Sequence, residues 1–485
     1  MNICDALNFP ELLRSQCLVD GRWVGEPAHA IHNPATGLCV GHVPDLDAIQ
    51  TTRAVEAAHI AFGKWSILTA QHRSEILNRW YHLIITHADD LARIMTAEQG
   101  KPVAEARSEV MYAADYINFY AQEALRVYGE TIPSHRTDAR MMVLRQPIGV
   151  IGAITPWNFP AAMIARKVAP AIAVGCTAVI KPAPQTPLSA LALAYLAQEA
   201  GLPDGVLNVI TGDAHVIGDV LTSHPHVRGF SFTGSTDVGK QLMRQCASTV
   251  KRVSLELGGH APFIVFDDAD LEAAVEGAMQ SKFRNMGQTC VCANRIFVQK
   301  GILEKFITRF SQRVQQLVVG TGTEHNVDQG PLISEKAVEK VEEHIKDALS
   351  KKARLIIGGK RHRLGGTFFE PTVICDVSPD MLVFHEETFG PLAAIIAFDT
   401  QENVISLANN SDYGLAAYVY TRDLKRTYQM MEALEYGMVG INTGVISSVH
   451  APFGGVKQSG LGREGSRHGL DEYLETKYIM IAGLN

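Results

Sequence analysis

The sequence predicts an α/β protein with three parts: a doubly wound, dinucleotide-type unit, a second α/β unit, and a small β element drawn from distant parts of the chain. Three observations carry that expectation. From Pro147 onward, short apolar runs alternate with helical patterns, and the alternation resumes after Leu257-Gly258-Gly259. Two β-like pieces, GETIPSHRTDARMMVLRQ and the late YLETKYIMIAG, lie far apart in sequence. Each would be an edge strand that needs covering, by the other or by another subunit.

Taken in order, helical patterns over 47–64, 69–96 and 103–128 precede the first apolar strand, PIGVIGAI. A helix over 159–174, a strand over 177–181, a helix over 189–200 and a strand over 206–210 follow. After a short helix come a strand over 227–232, a helix from about Thr236 and a strand over 252–256. Strands that are continuously apolar are buried on both faces, as in parallel sheets. In the second unit the pattern gives helices over 270–284, 302–319 and 334–351, with strands over 295–298, 393–398 and 416–420.

Composition excludes several classes. The 485 residues suffice for two to four domains. Asp plus Glu (51) exceed Lys plus Arg (44), giving a net charge of -7, which argues against a nucleic-acid or anionic-membrane surface. The longest charge-free apolar stretch, near 168–180, falls short of the roughly 20 residues that span a bilayer. The first residues carry acids where a leader would be basic, so the expectation is no signal peptide and a cytoplasmic protein. Eight cysteines show no CxxC pair and no metal-ligand spacing with histidine, so reduced thiols and no metal are expected.

Two glycine motifs need weighing. Gly460-Leu-Gly462-Arg-Glu-Gly465 fits GxGxxG but lacks a preceding strand and the room for a βαβ unit, so these are read as turn glycines. The run from Gly234 to Lys240 resembles a phosphate loop, yet Gln241 stands where a Ser or Thr would ligate magnesium, which argues against an ATPase. What survives is a Gly-Ser-Thr turn opening a helix, able to present N–H groups to a phosphate. That Ser235 or Thr236 simply caps the helix is an equal alternative.

The chemistry-bearing residues come from three places. Cys290, in FRNMGQTCVCANR, lies between a helical pattern and a strand; alone it would more often be inert packing. Glu256 ends a strand and precedes Gly258-Gly259, which let neighbouring backbone approach; it could equally be a surface ion-pair carboxylate. Asn158, in Pro156-Trp157-Asn158-Phe159-Pro160, lies at the carboxyl end of a strand, where open α/β sheets bind ligands. A rigidly held amide is a good oxyanion donor, and a helix cap is its alternative.

PWNFP, KPAPQTP, FTGS, SLELGG, GQTC, EETFGP and PFGGVKQSGLGREG occur in an order and spacing that resemble the aldehyde dehydrogenase superfamily from about Val19 onward. The resemblance implies an aldehyde dehydrogenase-like fold. It places a dinucleotide-binding domain over 1–123 and 146–250, a catalytic domain over 251–445, and an oligomerisation element over 124–145 and 466–485. It also implies a homodimer or homotetramer. By it, Cys290 is the nucleophile, Glu256 the general base and Asn158 part of the oxyanion hole. Trp157, Lys181, Pro184, Gly234, Ser235, Glu387 and Phe389 surround the dinucleotide.

MIARKVAPA, FRNMGQTCVCANR and ISSVHAPFGGVKQSGLGREGSRHGLDEYLE resemble succinate-semialdehyde dehydrogenases more closely. That implies Arg166, Arg284 and Ser447 for the distal carboxylate of a short aldehyde. Arg166 interrupts an apolar helical run, where a charge is costly unless paired; two surface arginines are the alternative. Succinate semialdehyde is the expected substrate, with glutarate semialdehyde open because a pocket separates single methylenes poorly. Pro184 replaces an acid that would repel a 2′-phosphate, so NADP is expected to be favoured and NAD accepted. Cys290 and Cys292 form a candidate redox pair. A family member that lost its chemistry and serves as a binding protein is the competing class.

Overall fold

The computed structural model describes residues 3–484. Its first sheet has eight strands. Five of them run parallel, in the spatial order Leu207–Val209, Thr177–Lys181, Val150–Ile154, Val227–Thr233, Arg252–Glu256. Numbered along the chain, that order is 3-2-1-4-5. The direction of winding therefore reverses between Val150–Ile154 and Val227–Thr233, and the crevice at their carboxyl ends is where such sheets bind nucleotides. Antiparallel strands close both edges: Cys17–Val19 with Arg22–Val24 on one side, Gly460–Leu461 on the other.

The strand Arg252–Glu256 pairs with Val227–Thr233. A boundary at 250/251 thus cuts one strand too early; the chain leaves the first sheet only after Glu256. The physical reason is that Arg252–Glu256 completes the parallel ladder before Gly258 and Gly259 allow the turn away. The second sheet has seven strands, centred on Leu392–Phe398, Ala293–Gln299, Ala261–Val265 and Ala416–Tyr420, all parallel. Each sheet is buried on both faces, as its apolar strands require.

The two distant β-like pieces cover each other. Leu474–Ile481 pairs with Arg140–Pro147 over eight residue positions, and Glu130–Ile132 adds a third strand. Ile132, Leu144, Tyr478 and Ile481 remain exposed on this small sheet.

One expected helix is two. The 69–96 stretch breaks into Ala70–Thr86 and Ala88–Gln99 at His87. In the second of these, Asp90 turns its carboxylate to the backbone N–H groups of Asn8 and Phe9, which fixes that helix against the N-terminal segment.

Candidate active site

Along one edge of the first sheet, Lys181, the Pro156–Pro160 turn, Gly234–Ser235 and Glu256 follow one another in the spatial order of their strands. A cavity of about 220 Å³ opens there, lined by Trp157, Asn158, Gly234, Ser235, Glu387, Phe389 and Cys290. A second, of about 300 Å³, lies beside Lys181 and Pro184. A third, of about 20 Å³, is lined by Arg166, Arg284, Ser447, Phe159 and Cys290. Cys290 therefore lies where a larger cavity and a small one meet.

The glycines beside Glu256 act through close backbone approach. A Cβ on Gly259 would stand 2.2 Å from the Cys290 carbonyl oxygen, so only glycine lets the Glu256 strand end seat against the cysteine loop. Glu256 is 2% exposed, and neither of its oxygens has a hydrogen-bond partner among the described residues. It is thus no surface ion pair. Burial, then the nearby Glu464 carboxylate, raise it well above the usual carboxylate range. Burial also pushes the Cys290 thiol up to about 12, with Glu387 and Glu256 adding to the effect and Arg166 opposing it.

Asn158 caps no helix. Its Nδ2 donates to Gln288 O at 3.0 Å, while the Ala162–Val174 helix begins at Ala161 without a side-chain cap. The Asn158 carbonyl accepts from Lys101 Nζ (2.7 Å) and Asn285 Nδ2 (3.0 Å). Glu109 pairs with Lys101 and accepts from the N–H groups of Ala161 and Ala162. Glu105 accepts from Asn285 N at 2.7 Å. Asn285 and Met286 both take left-handed backbone conformations just before the cysteine loop, a strain that surrounding bonds must hold.

The residues fit a dinucleotide. Ser235 stands at the N-cap of the Thr236–Cys246 helix without capping it, which leaves that helix's first N–H groups for a phosphate. Lys240 instead donates to Gln458 Oε1. Thr233 Oγ1 is buried without a hydrogen-bond partner among the described residues. A Cβ on Gly258 would crowd Glu387, whose carboxylate accepts from Gly259 N at 3.1 Å and which burial raises to about 7. Phe389 meets Trp157 edge-on at 5.6 Å and is held at φ +54. Burial lowers Lys181 to about 8, while Asp213 and Asp45 oppose that fall.

The arginines divide. Arg166 is 2% exposed, lies 3.8 Å over the Phe453 ring, and its Nε is 2.9 Å from Glu464 Oε2. Its charge is already paired, although Nη2 has no hydrogen-bond partner among the described residues. Lys167 reaches the same carboxylate. Arg284 has no ion pair among the described residues and lies over Phe159 at 4.8 Å, on the wall of the small cavity with Ser447. Cys292 is fully buried and its thiol donates to Lys282 O; the Thr289–Cys292 turn bends the backbone, as an i, i+2 bridge would need. Sequence reasoning passed over Lys101, Glu109, Asn285, Lys167 and Glu464. The one available signal was Lys167, a second charge in the apolar run that singled out Arg166.

Two alternating sheets, a crevice at the strand ends that reaches a cysteine, and a helix end left uncapped are the arrangement of an oxidoreductase of the aldehyde dehydrogenase class. The chain belongs to the aldehyde dehydrogenase family, whose sequence pattern matches residues 23–479. It is 58% identical to a 3-sulfolactaldehyde dehydrogenase of Pseudomonas putida, covering 99% of each chain. To an NADP(+) succinate-semialdehyde dehydrogenase of Escherichia coli it is 57% identical, over 98% of this chain and 99% of the relative. A glutarate-semialdehyde dehydrogenase of Pseudomonas aeruginosa is 56% identical, over 99% and 100%. No helix among the described residues is long and apolar enough to cross a membrane.

Two predictions follow from the buried charges. Lys101→Met leaves Glu109 buried without its cation, and urea unfolding should show a loss of about 3–5 kcal/mol. Because Glu464 raises Glu256, Glu464→Gln should lower the pH at which Glu256 gives up its proton, read as a downward shift of the acid limb of the kcat–pH profile.

Proposed function

We propose that the protein oxidises a short aldehyde carrying an anionic group at its far end, succinate semialdehyde first, using NADP or NAD. The observation that carries this reading is Arg284: an unpaired guanidinium on the wall of a small cavity that also contains Cys290 and Ser447. A terminal carboxylate there would gain charge-assisted hydrogen bonds that an uncharged aldehyde cannot. The relatives' names supply three aldehydes of this type, each with a distal carboxylate or sulfonate. Glutarate semialdehyde is the second reading, one methylene longer.

The chemistry assigns a role to each group. Cys290 Sγ, once deprotonated, bonds to the aldehyde carbon, and the carbonyl oxygen becomes an oxyanion. The Asn158 amide and the Cys290 backbone N–H donate to it, each worth about 2.7–4 kcal/mol in the transition state. A bound dinucleotide supplies the two-electron acceptor for the hydride released from that carbon. Cys290 then carries a thioester. Glu256 takes a proton from water, the hydroxide adds to the thioester carbon, the C–S bond breaks, and the acid leaves with the thiolate restored. Glu256 suits this because burial raises its affinity for protons above that of an ordinary carboxylate.

With proline at residue 184, that position adds no carboxylate that would repel a 2′-phosphate, which favours NADP without excluding NAD. The exposed apolar side chains of the three-stranded sheet support a homodimer or homotetramer.

Arg284→Ala should raise KM for succinate semialdehyde about tenfold or more and leave KM for butanal nearly unchanged, because the lost contact lies away from the reacting carbon. The wild-type protein should strongly prefer the semialdehyde over butanal in the same assay, read as reduced nicotinamide at 340 nm; equal efficiency on both would overturn the anionic-substrate reading.

A further inference from the structure

The cavity beside Lys181 carries more negative than positive charge. Its lining includes one lysine, Lys181, and two carboxylates, Asp45 and Asp213. Lys181 is deeply buried, and its Nζ donates only to the neighbouring Pro182 carbonyl among the hydrogen bonds of the described residues. The two acids come from separate elements: Asp45 precedes the Ala48–Trp65 helix, and Asp213 stands at the N-cap of the Ala214–Ser223 helix.

Asp213 is fixed there. Its Oδ1 accepts from His215 N at 2.8 Å and from Val216 N at 3.0 Å. Those bonds hold its carboxyl below the usual range, so it is anionic wherever the enzyme works. The free N–H groups of a helix start are a natural seat for a phosphate. Here a carboxylate already takes them, and it brings its own charge to the wall that a 2′-phosphate would approach.

We infer that Asp213 is a specificity-determining residue for the cofactor: its carboxylate opposes a phosphate on the adenosine ribose and limits the preference for NADP that the absence of an acid at residue 184 would otherwise give. This rests on the proposed reading that the Lys181 cavity receives the adenosine ribose. Lys181 attracts the 2′-phosphate; Asp213, with Asp45 beside it, repels it; the 2′-hydroxyl of NAD meets neither effect. Discrimination of this kind works by an unfavourable contact with the wrong ligand.

Asp213→Asn removes the charge and keeps an oxygen that can accept the same two N–H groups, so the helix cap survives. Pro184→Glu serves as the companion variant, since it adds a carboxylate to the opposite wall. The readouts are the NADP-to-NAD ratio of kcat/KM with succinate semialdehyde and the inhibition constants of 2′,5′-ADP and AMP. Asp213→Asn should raise the ratio about fivefold or more and tighten 2′,5′-ADP relative to AMP, while Pro184→Glu should depress both. An unchanged or lower ratio in Asp213→Asn, with Pro184→Glu still depressing it, would overturn the role of Asp213 and leave the cavity assignment standing. No change in either variant would overturn both.

Discussion

The arrangement of the site depends on one buried carboxylate. Glu464, 3% exposed, lies against Arg166 and Lys167, and none of the three could be buried without the others. Because Glu464 belongs to the late glycine-rich loop and the two cations to the Ala162–Val174 helix, their pairing fastens the end of the chain to a helix of the first sheet's layer. The same negative charge reaches Glu256 and raises its affinity for protons. A group that fixes the loop thus also raises Glu256, and Arg166, drawn toward Glu464, has its charge paired, whereas Arg284 has no ion pair among the described residues.

A second set of buried groups acts through one face of the Val103–Glu123 helix. Glu105, Glu109, Tyr112, Tyr116 and Tyr120 recur at three- and four-residue spacing and so share that face. Glu105 holds the left-handed turn before Cys290, Glu109 the turn after Asn158, Tyr112 lines the small cavity, and Tyr120 donates to Ser466 O. The Cys290 loop, the Asn158 turn and the C-terminal loop come from three distant stretches of sequence, yet each is bonded to the same rigid element. Preorganisation of this type is what electrostatic stabilisation of an oxyanion requires.

Much of this was legible in the sequence because it is local. Continuous apolar runs marked Thr177–Lys181, Arg252–Glu256 and Ala416–Tyr420 to the residue, and the Gly258-Gly259 pair signalled the close approach that Gly259 makes to Cys290. The strand order that creates the crevice was implied only by the doubly wound pattern. Short strands such as Thr372–Cys375 lacked the length to stand out. The long-range charge pairs had no local signal: Glu464 sits among the positive-φ glycines Gly460, Gly462 and Gly465, of which Gly460 opens an edge strand rather than a turn, and its partners lie almost 300 residues earlier. Arg166 was rightly singled out as a charge that must be paired, but the partner is a carboxylate of the protein itself.

The central claim is that Cys290 and Glu256 divide the reaction, one forming the covalent adduct and the other freeing it by activating water. Single-turnover mixing of Glu256→Gln enzyme with cofactor and succinate semialdehyde tests that division most directly. The account predicts one reduced nicotinamide per active site, formed in a burst, with steady turnover nearly abolished and a thioester trapped on Cys290. Steady turnover equal to that of the wild-type enzyme would contradict it.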